Sequence, residues 1–155
     1  MPSVLFICHG NICRSPMAEF VMKDLIAKKA QSDATFDASD WIIESAATTY
    51  EEIGNDTHRG TKRMLDAHHI PYTRRGARHI TPKDYERFDY LIGMDAENRY
   101  DLERFYPSDP AHKISLLLDW TEHPRDVADP WYTGNFKETY ADVVAGCLRL
   151  LESLT

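Results

Sequence analysis

Short apolar runs alternate along this 155-residue chain with stretches whose apolar positions lie three or four residues apart. The first pattern is typical of buried strands and the second of one helix face. Strands are predicted at 4–7, 41–47, 88–94 and 114–118. Helices are predicted from Ser15 as N-cap with Pro16, from Asp56 or Thr57, from the Thr81 capping box, over 95–105, and near the C-terminus, with 119–135 as a loop. This alternation predicts one α/β domain over residues 1–155, in three layers, with a four-stranded parallel sheet and helices on both faces.

The loop after strand 1 reads Cys8-His9-Gly10-Asn11-Ile12-Cys13-Arg14-Ser15. In an open parallel sheet, the backbone N–H groups of such a loop point outward beside the positive N-terminal end of the following helix, where anions bind. Gly10 and Asn11 tolerate the left-handed backbone angles that convergent N–H groups require. Arg14 adds a planar fork of donors for two phosphate oxygens. We therefore predict a phosphate-binding loop after strand 1, spanning His9 to Arg14.

A nucleophile and a proton donor accompany this loop. Cys8 stands where the positive field favours a thiolate, with Ser15 opposite as a hydrogen-bond donor to the sulfur. The alternative for Cys8 is an inert buried thiol. Asp129-Pro130 places a carboxyl on a proline-stiffened loop beside Trp131 and Tyr132. We predict that Asp129 acts as general acid and then as general base.

Charge and cysteine count narrow the class of protein. The net charge of −7 argues against a nucleic-acid partner. No run approaches the roughly 20 apolar residues of a membrane span, and the N-terminus lacks the basic region of a secretory signal, so no membrane partner and a cytoplasmic location are predicted. The three cysteines, with no Cys-x-x-Cys pair, favour reduced thiols. The histidines do not form a convincing ligand set, and no metal is predicted.

Residues 4–19 resemble the signature of the low-molecular-weight protein tyrosine phosphatases, and the segments 45–48, 77–81, 88–95 and 129–130 resemble family segments in family order. The resemblance implies Cys8 as nucleophile, Arg14 as phosphate clamp, Asp129 as general acid and base, and supporting roles for Ser15, Asn11 and Ser45. It implies phosphotyrosine on proteins as substrate, activity on aryl phosphates, and neither metal nor organic cofactor. The chain is expected to be a monomer or weakly self-associating.

In this family, aromatic residues beside the acid wall a slot for the phosphotyrosine ring. Trp131 and Tyr132 stand at those positions, and Tyr50 is a weaker candidate for the opposite rim. Ordinary packing is the alternative for such aromatics. Cys13 matches a neighbour that traps the oxidised nucleophile as a disulfide, with a small buried side chain as the alternative.

Two residues depart from the family pattern. His9 stands where a smaller or aliphatic residue is expected, which would change the polarity of the rim. Arg75 stands where many members have a histidine in the network behind Asn11. Arg75 lies next to Arg74 and near Arg78, and a solvated charged face is the alternative for that cluster.

Three other functions fit the same loop. An arsenate reductase would need extra cysteines, and none stands between Cys13 and Cys147. A protein-arginine phosphatase would favour Thr at position 12, where this chain has Ile12. A phosphate-binding module without catalysis would not need Cys8, Arg14 and Asp129 together. These observations leave phosphotyrosine hydrolysis as the preferred prediction.

Overall fold

The computed structural model describes residues 2–155. Its sheet contains four strands in the order β2-β1-β3-β4, and all three pairings are parallel. The strands are β1 (Ser3–Cys8), β2 (Ile42–Ala47), β3 (Tyr90–Gly93) and β4 (Ile114–Leu116). The predicted four-stranded parallel sheet is therefore confirmed.

Six α-helices accompany the sheet in the described chain: α1 (Arg14–Ser32), α2 (Arg59–Ala67), α3 (Pro82–Arg87), α4 (Ala96–Phe105), α5 (Pro130–Thr133) and α6 (Phe136–Leu154). Short 3₁₀ turns occur at Ala38–Asp40 and Leu117–Trp120. Within residues 2–155, none of these helices combines the length and apolar character required to cross a bilayer.

In several places the elements differ from the prediction because a side chain caps the backbone locally. Helix α2 starts at Arg59, since His58 Nδ1 accepts a hydrogen bond from Gly60 N at 2.9 Å. Strand β4 stops at Leu116, where Asp119 accepts from Leu116 N at 2.9 Å and the chain turns into a 3₁₀ helix. The segment 119–135, predicted as a loop, contains helix α5.

Strand β1 is buried on both faces of the sheet. Val4 and Phe6 belong to the core shared with α1 and α6, whereas Leu5 and Ile7 belong to the core that contains Leu102 of α4. A strand covered on both sides reads as an uninterrupted apolar run, which is why its sequence pattern is so clear. The three-layer arrangement is confirmed, and it holds the carboxyl end of β1 in a rigid setting.

The carboxyl edge of the sheet gathers the polar residues. From central β1 the chain proceeds to β2 on one side and later to β3 on the other, so the loops that follow β1 and β3 diverge at this edge. Parallel α/β sheets bind ligands in the crevice at such a switch point. The residues following β1, β2 and β3 therefore meet in one place.

Candidate active site

A cleft with a volume of about 120 Å³ opens at the carboxyl edge of the sheet. Its lining comprises six loop residues, two glutamates from the segment after β2, and three residues at the start of α5: Cys8, His9, Gly10, Ile12, Cys13, Arg14, Glu51, Glu52, Asp129, Trp131 and Tyr132. Tyr50 does not line it. Its ring is 73% exposed and stacks on the His79 ring with centroids 3.9 Å apart. Among residues 2–155, no three His, Cys, Asp or Glu side chains are grouped as metal ligands.

Cys8 ends β1 and is 3% exposed. Its Sγ lies 3.1 Å from Ser15 Oγ, which also accepts a hydrogen bond from Asn11 Nδ2 at 2.7 Å. Because Asn11 is the donor in that second bond, the hydroxyl hydrogen of Ser15 is left to point at the sulfur. The prediction that Ser15 is the N-cap of α1 was wrong, because Cys13 occupies that position and the Ser15 side chain faces Cys8 Sγ instead.

Asn11 is fully buried and has a left-handed backbone angle, with φ of 57°. Its Nδ2 also donates to Ser45 Oγ at 2.9 Å, and Ser45 in turn donates to Glu19 Oε1 at 2.6 Å. Asn11 Oδ1 accepts from the Arg75 guanidinium and from the backbone N of Arg78. Both ends of the amide are thus engaged, which fixes the loop from beneath.

Arg14 is 2% exposed and is oriented by three acceptors. Its Nη1 donates to Asp95 Oδ2 at 2.6 Å and to the carbonyl of Val127 at 2.9 Å, and its Nη2 lies 3.4 Å from Asp129 Oδ2. Burial opposes the guanidinium charge, yet the negative charges at Cys8, Asp95 and Asp129 outweigh it and raise the Arg14 pKa. Arg14 is therefore a fixed cation at the base of the cleft.

Like the lining residues Glu51 and Glu52, Asp95 was not predicted as part of the site. It follows β3 at the carboxyl edge and serves as N-cap of α4, where its Oδ1 accepts from Asn98 N at 2.8 Å. The signal was present in the sequence, because a capping carboxylate directly after a parallel strand stands at the ligand-binding edge.

Asp129 is held by the short helix that it caps. Its Oδ1 accepts from Trp131 N at 3.1 Å, and Pro130 opens α5. The cap turns the carboxylate toward Arg14 and the cleft, while the Trp131 and Tyr132 rings are 59% and 82% exposed along one wall. A carboxylate above a phosphate-sized cleft and beside apolar rings is suited to proton transfer.

The remaining loop residues occupy distinct settings. His9 Nε2 lies 2.6 Å from Glu51 Oε2, and its Nδ1 lies 3.7 Å from Glu97 Oε1, so this side chain bridges the segments after β2 and β3. The buried Cys13 has its pKa raised to about 12, chiefly by burial and then by the charge at Cys8. Cys13 is thus a protonated thiol at neutral pH.

The sequence of the chain is similar to that of one known protein family. A sequence model of the low molecular weight phosphotyrosine protein phosphatases matches residues 3–155. The low molecular weight protein-tyrosine-phosphatase YfkJ of Bacillus subtilis is 42% identical over 156 residues, covering 99% of this chain and 96% of the relative.

Solved structures agree with the sequence comparison. The crystal structure of YfkJ superimposes with a TM-score of 0.92, covering 99% of this chain and 94% of that one, and SP-PTP from Streptococcus pyogenes with 0.84, covering 100% and 94%; each is 41% identical. A drosophila arginine phosphatase is 29% identical, with a TM-score of 0.84 and coverage of 98% and 97%. The chain belongs to the low molecular weight phosphotyrosine protein phosphatase family.

Proposed function

We propose that this chain hydrolyses phosphotyrosine monoesters on proteins through a phosphocysteine intermediate at Cys8. One observation carries the proposal: the Cys8 thiol, the Arg14 fork and the Asp129 carboxyl all line a single cleft. A nucleophile, a phosphate clamp and a proton donor are the groups that this reaction needs. The relatives YfkJ and SP-PTP, which are named as low molecular weight protein tyrosine phosphatases, support the same chemistry.

In the first step the Cys8 thiolate attacks phosphorus and forms the S–P bond, while the P–O bond to the tyrosine ring breaks. The electron pair of that bond stays on the phenolic oxygen, which takes the Asp129 proton. Arg14 and the loop N–H groups stabilise the charge on the phosphoryl oxygens. The products are a free tyrosine side chain and phosphocysteine.

In the second step Asp129, now a carboxylate, removes a proton from a water molecule whose oxygen attacks phosphorus. The S–P bond breaks and its electron pair returns to sulfur. Ser15, with its hydroxyl directed at the sulfur, stabilises the departing thiolate. Inorganic phosphate leaves, and the enzyme returns to its starting state with Asp129 protonated.

The shape and polarity of the cleft favour an aromatic phosphate. Trp131 and Tyr132 stand along the wall next to Asp129, where a phenyl ring would pack. Cys8 lies at the base and is almost inaccessible from the surface, so a short phosphoserine would not reach it. Ile12 adds an apolar side chain to the lining, which favours phosphotyrosine over phosphoarginine. Tyrosine-phosphorylated proteins are the proposed partners.

The test compares wild type, Cys8→Ser and Asp129→Asn on a phosphotyrosine peptide, a nitrophenyl phosphate and a phosphoarginine substrate. Cys8→Ser should abolish turnover. Asp129→Asn keeps a good N-cap for α5 but removes the acid, so single-turnover phenol release from phosphotyrosine should fall by about 10²- to 10⁴-fold. The loss should be smaller for nitrophenol, which is a better leaving group.

Asp126→Asn is the matched control, because Asp126 is an exposed carboxylate in the same segment and does not line the cleft. Its rates should match wild type. Turnover that survives in Cys8→Ser would overturn the phosphocysteine mechanism. Faster hydrolysis of phosphoarginine than of phosphotyrosine would overturn the substrate class.

We also propose a cytoplasmic location, which fits the three free, buried cysteines of a reducing compartment. The oligomeric state, predicted as a monomer or a weakly self-associating chain, stays a prediction. We likewise propose that the Cys13 thiol condenses with a Cys8 side chain that a peroxide has oxidised to sulfenic acid, which forms the disulfide and releases water. Both residues line the cleft, which supports this proposal.

A further inference from the structure

Arg75 lies behind the phosphate-binding loop, outside the cleft lining. Its backbone N donates to Asp56 Oδ1 at 3.2 Å, and one arm of its guanidinium, Nη2, donates to Asn11 Oδ1. The other arm, Nη1, is buried and has no hydrogen-bond partner among residues 2–155. A buried guanidinium nitrogen without an acceptor is unusual, because leaving a charged donor unsatisfied is costly.

The charge of Arg75 is also not neutralised by an adjacent carboxylate. Burial lowers the pKa of Arg75, whereas the more distant charges of Glu19, Cys8 and Asp56 act to raise it. Within the described chain no acidic side chain forms a salt bridge with this guanidinium, in contrast to Arg14, which pairs with Asp95. A neutral amide would serve equally well to hold Asn11 Oδ1. The charge itself therefore requires another explanation, and Cys8 is among the anionic groups that interact with it.

Hydrogen bonds join the guanidinium to that sulfur in one direction. Arg75 donates to Asn11 Oδ1, Asn11 Nδ2 donates to Ser15 Oγ at 2.7 Å, and Ser15 Oγ lies 3.1 Å from Cys8 Sγ. Because an amide nitrogen only donates, the Ser15 hydrogen must be directed at sulfur. A cation at the head of such a chain polarises every bond after it, and strengthens most the last donor when it faces an anion.

We infer that Arg75 is a positioning residue whose charge, transmitted through Asn11 and Ser15, stabilises the Cys8 thiolate both as nucleophile and as leaving group. The inference rests on the proposed function, since it assigns the thiolate of Cys8 to the reaction. Arg75 does not touch the substrate. Its effect falls on the ionisation of the sulfur and on the step that breaks the S–P bond.

The experiment compares three variants: Arg75→Met removes both the charge and the donor to Asn11 Oδ1, Arg75→Gln removes only the charge, and Arg75→Lys keeps both. The pH midpoint of Cys8 alkylation by iodoacetamide is measured, with Cys8→Ser as the blank for the buried Cys13 and Cys147. Arg75→Met should move the midpoint up by about one pH unit, and Arg75→Lys should keep it near wild type. In Arg75→Met kcat should also fall by about tenfold, with the acidic limb of the pH–rate profile displaced in the same direction.

Arg74→Met is the matched control, because Arg74 is exposed and its replacement alters the net charge by the same amount. It should leave both the midpoint and kcat unchanged. Equal midpoints in wild type and Arg75→Gln, or equal shifts in Arg75→Gln and Arg75→Lys, would overturn the inference. Arg75→Gln should show the same shift as Arg75→Met although it retains an amide donor for Asn11, and it decides the test if Arg75→Met does not fold.

A result that contradicts the proposed function can be distinguished from one that contradicts the role of Arg75. Turnover in Cys8→Ser would refute the phosphocysteine, yet the alkylation midpoints would still report whether Arg75 acts on the sulfur. An unchanged midpoint beside an inactive Cys8→Ser variant would remove the role of Arg75 and leave the phosphocysteine mechanism in place.

Discussion

The carboxylate of Asp95 joins helix α4 to the Arg14 guanidinium. One oxygen caps the helix through Asn98 N, and the other accepts from Arg14 Nη1 at 2.6 Å. The guanidinium is buried, so its orientation depends on the few acceptors that hold it. Asp95, which follows strand β3, therefore helps to fix the orientation of the Arg14 guanidinium.

Asp95→Asn should separate these two tasks. An asparagine caps a helix about as well as an aspartate, so the free energy of unfolding should change little. The charge-assisted bond to Arg14 is worth about 1.5–3 kcal/mol, which corresponds to a loss of about 10- to 100-fold in kcat/KM on an aryl phosphate. Steady-state kinetics and a urea titration measure the two quantities.

Asp126→Asn supplies the comparison for Asp95, since Asp126 also accepts at the start of α4, from Ala96 N at 3.1 Å, without contacting Arg14. Its kcat/KM should be that of wild type. Should Asp95→Asn instead lower stability and leave kcat/KM intact, the carboxylate would be a cap and not part of the clamp.

Among individual residues, the sequence predicted those of the phosphate-binding loop better than the distant residues that hold the loop in place. Cys8, Arg14 and Ser15 are neighbours in the chain, so their placement follows from one strand, one loop and one helix. Asp95 contacts Arg14 from 81 positions away, and Arg75 contacts Asn11 from 64 positions away. The sequence put Asp95 directly after a predicted strand, and the family resemblance put Arg75 behind Asn11, but neither pattern specifies which atoms meet. Tyr50 was assigned to the rim from its position after β2, but its ring stacks on His79.

At the element scale, helix α6 approaches the 3₁₀ turn after β4 at Gly146. A Cβ atom built there would lie 2.4 Å from Leu117 Cγ, and Leu117 is fully buried. The buried leucine has no free space into which to withdraw. The absence of a side chain at Gly146 thus permits the close packing of α6 against the sheet layer.

Gly146→Ala should destabilise the protein although alanine is the better helix former. Helix propensity alone predicts a gain of about 1 kcal/mol, whereas overpacking a filled core costs about 1–3 kcal/mol. The clash is severe, so we expect the free energy of unfolding to fall. Chemical denaturation measures the sign.

Ala145→Gly tests the propensity term on its own, because Ala145 is exposed one position earlier in the same helix. That change should cost about 1 kcal/mol. A rise in the stability of Gly146→Ala would mean that Leu117 repacks and that the contact is not tight.

Element types were more predictable than element ends. The apolar runs of β1 and β3 and the apolar spacing in α6 reflect burial, and burial can be predicted from the residue types alone. The ends of β4 and α2, and the whole of α5, depend on single side-chain caps from Asp119, His58 and Asp129. Asp129-Pro130 has the same pattern of a cap followed by proline as Thr81-Pro82, but α5 ends at Thr133, too soon for helical spacing to show in the sequence. It was therefore predicted as a loop.

For the whole molecule, the negative charge and the anionic substrate are in conflict. The net charge is −7, and Glu51 and Glu52 add carboxylates to the cleft lining itself. Against them stand the buried Arg14 and the loop N–H groups, which act at short range. A phosphate dianion is therefore repelled at a distance and attracted only on arrival.

This balance predicts opposite salt effects for two phosphotyrosine peptides that differ only in their flanking residues. With acidic flanks, kcat/KM should rise by about threefold or more from low to physiological ionic strength, because salt screens the repulsion. With lysine flanks it should fall, since salt screens an attraction. Initial rates at low substrate concentration give both values.

Replacing Glu51 and Glu52 together by glutamine tests whether the carboxylates of the cleft cause the salt effect. The difference in the salt dependence of kcat/KM between the two peptides should become smaller if these two carboxylates supply most of the negative field at the cleft. The matched variant replaces Glu86 and Glu103, exposed glutamates outside the cleft, and removes the same charge from the molecule. Equal shrinkage in both double variants would assign the selectivity to net charge, because a field of the whole molecule does not depend on which two glutamates are neutralised.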